Sequence, residues 1–135
     1  MDPVSEYRRT RILTASPGEI VVMLYDGVLQ KVSLAKGHFE TGQWGAAGEA
    51  LGRAQDILYE LMASLDRAKS PDLCDSLSRL YAYCSERLIE GLAQRNPKKL
   101  DEVDGLLRPL RVAWAEAVRK AKTETTTHGR VAVNG

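Results

Sequence analysis

Apolar residues recur at three- and four-residue steps through most of the 135-residue chain, as they do in helices that each bury one face. The first run follows Ser16-Pro17-Gly18-Glu19, where Ser16 is placed to accept from the Glu19 amide and Glu19 to reach back to Ser16. Pro17 takes the first helical position, where no amide hydrogen is needed. A helix is predicted from Pro17 to about Glu40, with Val21, Leu24, Val28, Val32, Ala35 and Phe39 inward. Ile20 to Tyr25 is apolar without a break, wider than the stripe one neighbouring surface requires.

A turn at Thr41-Gly42 leads to a second predicted helix, Gln43 to Asp66, with an a/d stripe from Trp44 through Ala47, Leu51, Ala54, Leu58 and Leu61 to Leu65. Gly45, Gly48 and Gly52 weaken its start, and close helix approach explains them. Ser70-Pro71 repeats the cap-plus-proline signal and opens a third helix, to about Arg95. Its stripe is Leu73, Leu77, Leu80 with Tyr81, Cys84, Leu88 and Leu92. Asn96-Pro97 opens a fourth with Leu100, Val103, Leu107, Leu110, Trp114, Ala117 and Ala121. Pro109 predicts a kink there, while the heptad in phase beyond it argues against a break.

Four such helices joined by short loops predict an all-α, antiparallel up-down four-helix bundle. The expected organisation is an N-terminal arm (1–15), the bundle (16–122) and a flexible tail (123–135), the last because it is polar, β-branched and Gly-punctuated.

Composition narrows the function. A formal net charge of +1 gives no electrostatic reason for a nucleic-acid partner. The basic clusters at Arg8-Arg9-Thr10-Arg11 and Arg119-Lys120-Ala121-Lys122 read as solvated ends. No apolar run reaches the roughly 18 residues of a membrane span, and residues 1–6 lack a secretory core, so a cytoplasmic protein without membrane insertion is expected. Cys74 and Cys84, ten residues apart on one helix, lie about 15 Å apart, too far for a disulfide; two reduced, packed thiols are the simple reading.

Catalytic and metal chemistry find little support. There are two histidines, His38 and His128, no Glu-x-x-His pair, no Gly-rich phosphate loop and no nucleophile elbow. Arg53 and Asp56 among small residues are the one candidate polar pocket of a helical enzyme, and as outer-face charges they read as solvated. No cofactor is expected, and the chain is read as a non-enzyme. Surplus apolar surface points to binding instead. Leu24 and Tyr25 widen the first helix, Tyr83 lies off the third stripe, and Ile12 and Leu13 in the arm need a surface to pack on. Together they suggest a groove for a chain segment.

Tyr7-x-x-Thr10-x-Ile12-x-Thr14-Ala15-Ser16-Pro17-Gly18-Glu19, followed by Met23-Leu24-Tyr25-Asp26-Gly27, resembles the opening of the flagellar secretion chaperone FliS family. The resemblance continues through Ala54-Gln55-Asp56-Ile57, Glu60 to Asp66, Leu80-Tyr81-x-Tyr83 with Arg87-Leu88, Glu102-Val103-x-Gly105-Leu106-Leu107 and Ala113-Trp114. It departs at Ala82, Cys84 and Pro109. It implies a non-enzymatic chaperone that binds the disordered C-terminal region of flagellin, blocks its polymerisation and presents it to the type III export gate, an FlhA-like component. The alternative is an adaptor for another export or regulatory protein on the same surface. Carried over by position, Tyr7 and Ile12 belong to the arm over or beside the groove. Leu24, Tyr25, Asp26 and Gly27 shape the groove or its floor, and Tyr81 and Tyr83 match the helix-3 tyrosines; Leu13 and Val28 are expected beside them at the groove or its gate. Two alternatives stay open at this point. Tyr25 and Tyr81 can instead be core residues with bonded hydroxyls, and Gly27 can serve helix approach.

Overall fold

The computed structural model describes residues 16–134, with side chains described to residue 124. Four helices occupy these residues: α1 (Pro17–Glu40), α2 (Trp44–Ala63), α3 (Pro71–Gln94) and α4 (Pro97–Asn134). Each packs on the next, and α4 closes back on α1. Cross-helix contacts fix the directions. Asp26 meets Arg111 and Glu19 meets Lys122, so α1 and α4 run antiparallel. Gly91 abuts Leu100 while Tyr83 meets Glu102, which does the same for α3 and α4. The predicted up-down bundle is the observed one.

Local chemistry sets the boundaries. Ser16 Oγ accepts from the Glu19 amide at 3.2 Å, the first half of the expected capping box, and the Glu19 carboxylate pairs with Lys122 Nζ at 2.6 Å. Gly42 turns the chain at φ +69, a conformation glycine adopts without strain. The α2 helix stops at Ala63, three residues before the predicted end. Ser64 Oγ donates to the Leu61 carbonyl at 2.7 Å, and Asp66 Oδ1 accepts from the Ala68 amide at 3.2 Å. Those local bonds offer the backbone an alternative to a further turn of helix. At α3, Pro71 opens the helix as predicted, but the Ser70 side chain makes no capping bond. Arg95 ends α3 in the left-handed region at φ 52, with Asn96 N–H donating to Gly91 O and Arg95 N–H to Leu92 O, a Schellman arrangement. Asn96 Oδ1 then accepts from the Lys98 amide and starts α4.

Helix α4 runs through Pro109 and on to Asn134. Residue 122 is therefore where the apolar stripe ends and not where helical backbone ends. Side chains of the segment expected to form a flexible tail lie outside the described ones from residue 125, as do residues 1–15 of the arm.

The core joins all four helices through Val28, Val32, Leu51, Leu58, Leu61, Leu88, Leu100, Val103 and Leu107. Burying each such side chain is worth about 1.5–3 kcal/mol. A Cβ added at Gly48 would meet Leu92 at ordinary contact distance and one at Gly45 or Gly52 would meet nothing within 4 Å, so close approach accounts for none of the three. Gly27 does serve approach: a Cβ there would stand 3.0 Å from Ile57 Cδ1 of α2. Both cysteines are free and buried, as read from their spacing.

Candidate functional site: an apolar groove between the helices

The predicted stripes are not uniformly covered. On α4, Leu100, Val103 and Leu107 are sealed, whereas Leu110 and Trp114 are half-buried and Ala117 is exposed. On α3, Leu77 and Tyr81 are buried, but Leu73, a predicted core residue, is 54% exposed. An a/d stripe without a covering neighbour is open apolar surface, and here the two stripes lie side by side.

The result is a cavity of about 530 Å³ whose apolar walls are Ile20 and Val21 of α1, Leu65, Leu73 and Leu77, with Tyr81 and Trp114. A second hollow of about 230 Å³ shares Leu73, Leu77 and Trp114 and continues past Leu110, Ala113 and Ala117. Small side chains open both, Cys74 in the first and the two alanines in the second. The polar groups Ser64, Asp66, Lys69 and Ser70 come from the α2–α3 connection at one end. By contrast, the cleft between α1 and α4 is bridged by Asp26–Arg111 at 2.8 Å and Glu19–Lys122.

At its other end the α3–α4 seam is closed by polar groups. Tyr83 donates to the Glu102 carboxylate, and Arg87 lies 4.9 Å from the centroid of the same ring. Glu90 accepts from Arg87 at 2.8 Å and from Lys99 at 2.7 Å. The Lys99 ammonium, with Arg87 beside it, holds the Glu90 carboxyl below its ordinary pKa.

Beneath the groove, the Tyr25 and Tyr81 hydroxyls are 2.6 Å apart, with the rings edge-on at 6.2 Å. Burial pushes both phenols above their ordinary pKa, and the bond to Tyr25 holds Tyr81 higher still. Cys84, pushed up to about 11 by burial and then by Glu102, is a protonated thiol at neutral pH.

The residues named from sequence therefore separate. Tyr81 lines the groove. Tyr25 and Val28 are wholly buried, Gly27 faces α2, Leu24 packs on the core, and Tyr83 belongs to the polar closure. Tyr7, Ile12 and Leu13 lie outside the described residues. The surplus-width signal on α1 was informative at Ile20 and Val21 and misleading at Tyr25, because α3 and α4 reach over that ring. Leu73, Leu110 and Trp114 fall on the predicted core stripes, and nothing in their periodicity distinguishes a covered stripe from an open one.

Among the described residues the one candidate polar pocket, at Arg53 and Asp56, is not formed. Arg53 makes an exposed pair with Glu49, and Asp56 is exposed. Among the described residues no group of three or more His, Cys, Asp or Glu is placed to hold a metal, and no helix is long and apolar enough to cross a membrane.

Comparison with known proteins adds the family. The family described as "Flagellar protein FliS" matches residues 1–121. The chain is 30% identical over 131 residues to the "Flagellar secretion chaperone FliS" of Bacillus subtilis (strain 168), covering 97% of both chains. It is 34% identical over 111 residues to the protein of that name from Salmonella typhimurium, covering 82% of both. A bacterial flagellar chaperone crystal structure has the same fold, with a TM-score of 0.72 at 21% identity, over 88% of this chain and 99% of that one.

Proposed function

This chain belongs to the FliS family of flagellar secretion chaperones, which are not enzymes, and from that premise we propose that it holds the C-terminal segment of flagellin in the α1–α3–α4 groove. In this reading it works in the cytoplasm, keeps the client from polymerising and presents it to an FlhA-like component of the type III export gate. The observation that carries the proposal is the uncovered a/d surface around Leu73, Leu77 and Trp114. A segment that assembles through an apolar helical face is blocked when that face lies in such a groove, which is helix-in-groove recognition. The cost of ordering the client offsets part of the gain, so release at the gate needs no nucleotide. Pro17, the first residue of α1, is a wall residue of the groove, and in this reading the arm bearing Tyr7, Ile12 and Leu13 lies over or beside it.

Calorimetric titration with a peptide covering the last fifty or so residues of the same organism's flagellin tests the proposal. Saturable one-to-one binding with a negative heat-capacity change is expected. A folded bundle that fails to bind would leave an adaptor for another export protein.

A further inference from the structure

Helix α4 changes character at one turn. Before it, Leu100, Val103 and Leu107 are sealed; after it, Leu110 and Trp114 are half-buried and Ala117 is exposed. Among the described residues Leu107 is the last buried side chain of this helix. The turn itself carries Gly105 and Pro109, the two residue types least suited to a helix interior. They stand four apart and therefore act on one backbone position. Proline has no N–H to give the Gly105 carbonyl, and its ring crowds that same carbonyl. Packing does not require the glycine, since a Cβ there would meet nothing within 4 Å. Both residues are exposed.

The two halves of α4 also have different anchors. Lys99 and Glu102 tie the first half to α3, through Glu90 and Tyr83, and Asp101 ties it to Lys36 of α1. Beyond Pro109, Arg111 pairs with Asp26 and Lys122 with Glu19, both on α1. Those two pairs are solvent-accessible, so each holds weakly. Toward α3 the second half borders the two hollows, and Trp114 stands where they meet, with Leu73 and Leu77 opposite. Sparse burial and weak surface pairs are the marks of a segment that opens locally.

We propose that Gly105 and Pro109 form a hinge in α4, and that the half beyond it is a movable wall of the groove. Its shift against α3 carries Trp114 aside and joins the two hollows into one continuous site. It rests on the proposed function and adds how the groove admits its client.

The double substitution Gly105→Ala with Pro109→Ala tests the hinge in the full chain. It restores the missing helical bond, and neither position lines either hollow. Amide hydrogen exchange is measured first, without peptide. In the wild type, amides of residues 111–118 are expected to exchange roughly tenfold faster than those of 101–107. In the double variant that ratio is expected to fall to about threefold or less. A ratio unchanged in the variant assigns the difference to loose packing and overturns the hinge. The same flagellin peptide is then mixed rapidly with each protein and followed by tryptophan fluorescence. Entry that needs the wall to move makes the stiffened helix associate about fivefold more slowly. Association at the wild-type rate or faster overturns the role in client entry. A wild type that binds no peptide, beside an exchange ratio that falls as expected, supports the hinge and overturns the flagellin reading instead.

Discussion

The phenol of Tyr83 on α3 donates to the carboxylate of Glu102 on α4, with the Arg87 guanidinium against the same ring. This contact closes one end of a seam whose other end is open. It is half exposed, so its stabilising effect is small, and its role lies in holding the two helices together there. Glu102→Ala is expected to lower the melting temperature by a few degrees at most and to leave peptide affinity within about twofold. A tenfold loss of affinity would place Tyr83 and Glu102 in the client contact.

Tyr25 makes the opposite case. Its ring is wholly buried and its hydroxyl is committed to Tyr81. Tyr25→Ala removes a packed aromatic and orphans a buried hydroxyl, so a loss of roughly 3–5 kcal/mol is expected in denaturant unfolding. A loss below about 1 kcal/mol would mean that this ring is not the keystone it looks to be.

The chain states its fold openly and its site only in part. Proline at three helix starts, Ser16 and Asn96 beside them, and unbroken a/d stripes leave few other topologies open. What periodicity cannot carry is whether a stripe has a partner. Leu88 and Leu73 stand in register on α3, yet one is sealed and the other 54% exposed. That difference arises from which side chains of the neighbouring helices face each position, a tertiary property. Likewise Tyr25 and Tyr81 sit one or two residues from surface positions, and their pairing across 56 residues is visible only when the helices are placed.

The buried acids that titrate late make stability depend on alkaline pH. Burial raises the Cys84 pKa from an ordinary 9.0 to about 11, and Tyr25 and Tyr81 are raised above an ordinary 10.0. Each folded group keeps a proton that the unfolded chain has lost, so stability falls as pH rises through that window. Unfolding between pH 8 and 11 is expected to show a decline beginning near 9 at roughly 1 kcal/mol per unit, steepening past 10. In Cys84→Ala the decline should begin near 10. An unchanged profile in that variant would assign the effect to other groups.

The groove reading is tested most directly at Leu73, because there binding and stability come apart. Leu73 is mostly exposed in the free bundle, so replacing it removes little buried surface. It lies in the first turn of α3, two residues after Pro71, where a carboxylate interacts favourably with the helix N-terminus. Leu73→Asp is therefore expected to keep or slightly raise the melting temperature. In a complex the same carboxylate would stand in the wall shared by both hollows, and covering it without a partner opposes association strongly. Peptide affinity is expected to fall at least tenfold, with no loss of helicity by circular dichroism. Undiminished binding by this variant would move the client off the groove, since no occupant of either hollow avoids that wall.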